Sequence, residues 1–114
     1  MIQKIVAFAV DELRFDAAET AAMLLHACRR GSRPLYVRGM CQVGETVYCT
    51  LLACGDAVPP PAQYVWVENP DTSDDGLPSL LEQRWAAGFD LIGSVNAGED
   101  LLFLLFVKNP EEAQ

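Results

Sequence analysis

Gly39-Met40-Cys41-Gln42-Val43-Gly44-Glu45 is the stretch that decides the fold, because it returns 54 residues later as Gly93-Ser94-Val95-Asn96-Ala97-Gly98-Glu99. In both places the Gly-x4-Gly-Glu pattern is followed by an apolar run, Val47–Ala53 in the first copy and Leu101–Val107 in the second. Two extended segments around a glycine-containing turn are typical of a β-hairpin. The sequence therefore predicts an internal duplication, with one hairpin closing each half.

A strand and a helix are predicted before each hairpin. The strands are residues 2–10 and 63–68, which are rich in β-branched and aromatic side chains. The first helix runs over residues 17–30, because Asp16-Ala17-Ala18-Glu19 has the spacing of a capping box. The second helix covers residues 77–87 and is followed by a glycine that can end it. Each half therefore has the order strand, helix, strand, strand.

This order predicts an α+β fold of tandem duplicated β-α-β-β units. We expect residues 1–114 to form a single compact domain made of two repeats, residues 1–56 and 62–110. The expected layout is a ferredoxin-like-type sandwich, with two helices on one face of a sheet of about six strands.

The last strand, Leu101–Val107, conflicts with that layout because it is apolar on both faces. Two helices cover one face of a sheet, so the second face must be closed in another way. Either the sheet curls into a barrel-like shape, or a second subunit covers it. Of the two, the sequence favours a homodimer.

The second half resembles a family of short bacterial domains of unknown function. The resemblance lies in Gly88-Phe89-Asp90-Leu91-Ile92-Gly93-Ser94-Val95 and in the apolar run that ends in Lys108. In that family a helix ends in Gly-Trp-Glu-Leu-Val, and a hairpin ends in an apolar run with a terminal Lys or Arg. The resemblance implies a strand–helix–strand–strand unit and brings no catalytic residues with it.

The net charge of −8 lies entirely in residues 57–114, whereas residues 1–56 carry six basic and six acidic groups. This distribution argues against nucleic-acid binding, which needs basic side chains to displace counterions from phosphates. The sequence contains no run of 18 uncharged apolar residues, so it predicts no membrane span. The N-terminal segment lacks the pattern of a signal peptide, so we expect a cytoplasmic protein with no membrane partner.

The four cysteines and the single histidine do not form a recognisable site. Cys28, Cys41, Cys49 and Cys54 lie within apolar runs and contain no Cys-x-x-Cys pair, so free thiols are expected. Their spacing with His26 does not fit a zinc site. A dyad of His26 with a cysteine stays open, beside a purely structural histidine. No nucleotide or nucleophile-elbow motif is present, so no cofactor is predicted.

Arg38 is the most unusual residue in the predicted strands, because Ile92 occupies the equivalent position of the second half. Strict alternation would place Arg38 on one face with Tyr36 and Met40. Together with Tyr36 and Tyr48, Arg38 could bind an anionic ligand at a site between the halves. The alternative is an exposed arginine, or one paired with an acidic group of the second half.

Three functions follow as hypotheses. The first is a non-catalytic protein–protein interaction or homodimerisation module, which the doubly apolar last strand and the missing catalytic motif favour. The second is a sensor of a small anionic ligand that uses Arg38, Tyr36 and Tyr48. The third is a cofactor-independent enzyme that uses His26 or a cysteine.

Overall fold

A computed structural model describes residues 3–55 and 59–109, so the repeat boundaries predicted at residues 56 and 110 lie outside the described residues. The described chain is an α+β protein, as predicted. No helix of this part of the chain is long and apolar enough to cross a membrane. The elements, in chain order, are β1 (Gln3–Ala9), α1 (Val10–Phe15), α2 (Ala17–Arg29), β2 (Leu35–Val43), β3 (Thr46–Ala53), β4 (Gln63–Glu68), α3 (Gly76–Ala86), β5 (Phe89–Gly98) and β6 (Leu101–Lys108).

The strands form two antiparallel three-stranded sheets, in the orders β1-β3-β2 and β4-β6-β5. In both halves the last strand of the unit lies in the middle. The predicted single sheet of about six strands is therefore wrong for the described residues. Strands β2 and β5 approach each other closely where the two sheets meet. A Cβ atom on Gly93 of β5 would lie only 2.9 Å from Cε of Met40 of β2.

The side chain of Gln42 joins the two sheets at this junction. Its Nε2 donates a hydrogen bond to the carbonyl oxygen of Asn96 at 2.6 Å, and its Oε1 accepts one from the Asn96 amide at 2.8 Å. A side-chain amide thus takes the place of one peptide group of a backbone ladder. Gln42 and Asn96 are themselves 54 residues apart, so equivalent positions of the two halves meet here.

The second strand of each half, β2 in the first and β5 in the second, contains a β-bulge at an equivalent position. The register of β2 shifts between residues 37 and 39, and that of β5 between residues 91 and 93. Arg38 and Ile92 are therefore the inserted residues, again 54 positions apart. A bulge puts two residues opposite one and changes which face the following side chains occupy.

Helices α1 and α2 pack in the core. The carboxylate of Asp16 accepts a hydrogen bond from the Glu19 amide at 3.0 Å, so the predicted N-terminal cap of α2 is confirmed. No helix was predicted between the first strand and α2, but Val10–Phe15 forms the short helix α1. Val10 and Leu13, three positions apart, are fully buried on its inner side, and this spacing is what a single helical turn needs.

The inner faces of both sheets share one hydrophobic core with α1 and α2. Two aromatic contacts cross it: the Trp66 ring meets Phe8 at 6.0 Å and Phe103 at 6.3 Å between centroids, both edge to face. The halves are therefore joined through their interiors as well as at the β2/β5 junction. The largest fully buried core side chains are those of Leu13, Leu24, Leu51, Phe103, Leu105, Val10, Val47, Val95, Cys28 and Cys49.

Helix α3 lies on the other face of the second sheet, so the prediction of two helices on one face is wrong. Leu104 and Phe106 point away from the shared core, yet they are only 6% and 1% exposed. The Arg84 guanidinium of α3 lies 5.8 Å from the ring centroids of both Phe89 and Phe106. The doubly apolar last strand is thus buried within one chain, and its second face needs no second subunit.

Candidate functional site

A groove of about 690 Å³ lies between α2 and β4 and is called here the α2–β4 groove. Small alanine side chains of α2 leave it open on one side, and β4 forms the other. Its lining is mostly apolar, from Leu13, Ala17, Ala18, Ala21, Ala22, Leu25, Tyr64, Val65, Trp66 and Phe103, with Arg14, Gln63 and Glu68 as the polar members.

Arg14 is already engaged by other groups of the protein. Its guanidinium donates to the Ala97 carbonyl and pairs with Asp11, and it lies 3.6 Å from a carboxylate oxygen of Glu45. A ligand in the α2–β4 groove would have to compete with these partners for the positive charge. The groove therefore offers mainly apolar contacts and no ready anion site.

Tyr64 joins three elements behind this groove. Its buried hydroxyl accepts a hydrogen bond from the Val37 amide of β2 at 3.0 Å and lies 3.5 Å from Sγ of Cys28 on α2. Burial raises the pKa of Tyr64, with the Cys28 contact adding to the effect. The phenol therefore stays protonated and serves as a structural link between the halves.

The outer face of the first sheet is the second candidate surface. We call it the open face and define it by Ile5, Ala7, Tyr36, Cys41, Val43 and Tyr48, which the strand register places on one side of β1, β2 and β3. Ile5 is 66%, Val43 62% and Tyr48 43% exposed. In the described part of the chain α1 and α2 lie on the opposite side and α3 on the other sheet, so no helix covers it.

The structure places two of the predicted ligand-binding residues, Tyr36 and Tyr48, at this surface. Tyr36 pairs with Leu52 and Tyr48 with Cys41, so the two tyrosines lie on the open face about 13 Å apart along β3. Arg38 is exposed in the bulge between them in sequence. Within residues 3–55 and 59–109, no hydrogen bond or ion pair involves its guanidinium.

One expectation about the predicted anion site needs correction. Tyr36 and Met40 do not share a face: Tyr36 pairs with Leu52 and Met40 with Cys49, and these two residues have opposite orientations in β3. The bulge at Arg38 causes this inversion.

The cysteines and His26 form no reactive cluster in the described residues. All four thiols are free, with Cys28 and Cys49 buried and Cys41 exposed. Burial raises the pKa of Cys28, and it raises that of Cys49 to about 11, so both are weak nucleophiles at neutral pH. His26 is exposed on α2. No group of three or more metal-ligating side chains is found in the part of the chain that the structure describes.

No family model, no curated protein and no solved structure matches this chain. The resemblance of the second half to short bacterial domains therefore stays a prediction. Sequence reasoning missed two features, the exposed open face and the buried link through Tyr64. The period-two placement of Tyr64 and Trp66 was a usable signal, since it puts both aromatic rings on one side of β4.

Proposed function

We propose that this protein is a non-catalytic protein–protein interaction module that forms a homodimer through the open face. The observation that carries the proposal is the contrast between the two outer sheet faces. Phe106, over which the Arg84 guanidinium of α3 lies, is 1% exposed and Leu104 6%, whereas Ile5 and Val43 on the open face are about two-thirds exposed. Burying a large apolar side chain contributes about 1.5–3 kcal/mol, so association through this face would stabilise a dimer.

The charge distribution supports self-association through the first half. Residues 57–114 carry the whole net charge of −8, and residues 1–56 are neutral. Two copies that met through their second halves would bring like charges together, which opposes binding. Contact between two first halves avoids this repulsion.

We also propose that the chain arose by duplication of one β-α-β-β unit. Equal strand order, bulges at Arg38 and Ile92, and the meeting of Gln42 with Asn96 support it. In such a pair the second unit has α3 on its outer face, and the first unit retains an outer face without a helix. The free cysteines support a reducing compartment such as the cytoplasm.

Light scattering coupled to size exclusion tests the homodimer. We expect a dimer at micromolar concentration, and we expect Val43→Lys on the open face to weaken it at least tenfold, about 1.4 kcal/mol. Phe15→Lys is the matched control, because Phe15 is 86% exposed outside the open face. A wild-type protein that stays monomeric at about 100 μM, well above the range of specific dimers, contradicts the proposal.

A small-anion sensor is the second candidate, and the exposed, unengaged Arg38 favours it. An anion bound by its guanidinium could also accept a hydrogen bond from the Tyr36 hydroxyl. Thermal-shift measurements with phosphate and small carboxylates test it, using Arg38→Ala against Arg33→Ala, an exposed arginine of the preceding loop. Stabilisation that Arg38→Ala abolishes supports the sensor; equal shifts in all three proteins reject it.

The third hypothesis, an enzyme that uses His26 or a cysteine, gains no support from the geometry. In the described residues no hydrogen bond joins His26 to a thiol, and the two buried cysteines have raised pKa values. We therefore do not propose a catalytic residue.

A further inference from the structure

We infer that the α2–β4 groove binds an extended peptide, which adds to the free edge of β4 and enlarges the second sheet by one strand. The partner is a single segment of another protein, with small or β-branched side chains in its middle and a basic residue at its N-terminal end. This surface is distinct from the open face, so the inference does not depend on the proposed homodimer.

The hydrogen-bond register shows that β4 has unpaired backbone groups. The Asn69 amide donates to the Leu102 carbonyl at 2.7 Å, and this pair continues the β4/β6 register. Bonded and non-bonded pairs alternate in an antiparallel ladder, so the odd-numbered residues of β4 are bonded to β6. The amides and carbonyls of Tyr64, Trp66 and Glu68 therefore point away from β6, and among the described residues no group bonds to them.

The α2–β4 groove runs along this unpaired edge. Gln63 and Val65 have side chains on one face of the strand, and they line the groove together with Tyr64 and Trp66 from the other face. A space that touches both faces of one strand lies at its edge. The six residues of β4 extend about 17 Å, so a fully extended chain of about five residues fits along them.

Helix α2 forms the opposite wall and determines what can enter. Four of its five groove-lining residues are alanines, and two of these, Ala18 and Ala22, are exposed, so room is left beside the β4 edge. One added strand occupies about 4.8 Å in the hydrogen-bonding direction. Because α2 bounds the groove on the side away from β4, a second sheet cannot continue beyond that strand. The groove therefore favours a single peptide segment over a second copy of this chain.

The two ends of β4 limit the length of the added strand. Before β4, the Arg29 guanidinium donates to the two preceding carbonyls at 3.4 Å, and the prolines at residues 59–61 have no amide donors. After β4, Asn69 has a φ of +45° and Pro70 follows, so the extended conformation stops. Pairing is therefore confined to residues 63–68.

The charges of the groove determine which residue the first peptide position takes. Glu68 is exposed, and its carboxylate makes no ion pair in the part of the chain that the structure describes, whereas Arg14 is engaged by Asp11 and Glu45. An antiparallel chain has its N-terminal residue opposite Glu68, so a lysine there pairs with the carboxylate. The same charge disfavours an acidic or apolar residue at that position and thereby selects the partner.

Fluorescence titration with the peptide acetyl-Lys-Thr-Val-Thr-Val-amide tests strand addition. Trp66 lines the groove, and Trp85→Phe removes the only other tryptophan, so the signal then comes from the groove alone. We expect saturable binding with a Kd below about 1 mM. A peptide that does not bind at this concentration overturns the inference.

Two ester analogues of the peptide distinguish backbone pairing from side-chain contacts. The amide of the central valine faces β4, and that of the following threonine faces away. Replacing the first amide by an ester removes a donor without adding bulk and should weaken binding at least about fivefold. The second replacement should have little effect. Equal effects of the two esters overturn strand addition.

Protein variants locate the site and its charge. Ala22→Phe fills the groove at an exposed position of α2 and should abolish binding, whereas Ala86→Phe, at an exposed position of α3, should not change it. Glu68→Lys should weaken binding at least about fivefold, and a peptide that begins with Glu should restore it. Circular dichroism checks that each variant is folded. Binding that Ala22→Phe leaves unchanged overturns the groove as the site.

Light scattering in the presence of the peptide separates this inference from the homodimer. The open face belongs to the first sheet, so the peptide should leave the oligomeric state unchanged. A dimer that dissociates as peptide is added would place a second copy in the groove and overturn the peptide as its occupant. A dimer that forms while no peptide binds overturns this inference and leaves the homodimer standing.

Discussion

The two halves of the molecule use the same strand arrangement and different helices. Each places its last strand in the middle of a three-stranded sheet, and each bulges at the same position of its second strand. Helix α2 buries Leu24 and Cys28 completely in the shared core, whereas α3 has no fully buried residue and lies on the outer side. The strands are equivalent, but the helices lie on opposite sides of them.

This difference indicates that the position of the helices determines how far each outer sheet face is exposed to solvent. On the outer face of the second sheet Phe106 is buried beside Arg84 of α3 and Leu104 is 6% exposed, while Leu91 on β5 remains 44% exposed. In the described part of the first half no helix lies on the outer sheet face, because α2 packs between the two sheets. The open face is the result, and the proposed dimer would cover it.

The largest expected loss of stability comes from truncating a buried side chain on the outer face of the second sheet. Phe106→Ala should lower the free energy of unfolding by about 3–5 kcal/mol, because it opens a cavity beneath α3. Leu52→Ala, 54 positions earlier on the half-buried outer face of β3, should lower it by less than about 2 kcal/mol. Urea unfolding of both variants measures the difference. Equal losses would mean that the two faces are packed alike.

Alkaline pH should weaken the first half, which contains all four cysteines. Burial raises the pKa of Cys49 from 9.0 to about 11. The neutral thiol is favoured in the folded state, so this contribution is complete below pH 9 and is lost as pH rises to 11. The loss is on the order of 3 kcal/mol. Urea unfolding across this range should show a smaller decline for Cys49→Ala, and identical declines would contradict the assignment.

Removing the hydrogen bond between the Val37 amide and the Tyr64 hydroxyl should cause the next largest loss of stability. Tyr64→Phe leaves the Val37 amide buried without an acceptor and should cost about 1–3 kcal/mol. Tyr36→Phe, on the open face, is the matched control and should change stability by less than about 0.5 kcal/mol. Thermal unfolding distinguishes them, and similar shifts for both would show that the Tyr64 bond does not hold the halves together.

The smallest expected effect concerns the β2/β5 junction. Gln42→Ala removes two hydrogen bonds between the sheets at a partly exposed site and should cost about 1–2 kcal/mol. Gln83→Ala, at an exposed amide of α3, should change stability by less than about 0.5 kcal/mol. Hydrogen exchange of the Asn96 amide provides a local check, since its protection should fall in Gln42→Ala alone.

Local patterns predicted the strands and two of the helices well. The Asp16 cap, the Gly88 stop with its φ of +91°, and the 54-residue repeat in β2, β3, β5 and β6 depend on short-range chemistry that the sequence displays directly. Helix α1 was missed because a single turn with two apolar residues gives too little periodicity to distinguish it from a loop.

Tertiary placement was less predictable from the residues. Nothing in the composition of α3 distinguishes packing inside from packing outside, since Leu77, Leu80 and Leu81 suit either side. The bulge at Arg38 was also invisible, and it moved Met40 to the other face from Tyr36. The candidate anion site therefore stays a prediction, and of its expected members Tyr36 and Met40 do not share a face.

Tyr64 has a consequence for how the molecule comes apart. It belongs to the second half, yet it completes the hydrogen bonding of β2 and contacts Cys28 of α2. A chain cut in the proline segment at residues 59–61 would leave both fragments with unsatisfied interior groups. Neither fragment should fold alone, and calorimetry of the intact protein should show one cooperative transition whose van't Hoff and calorimetric enthalpies agree.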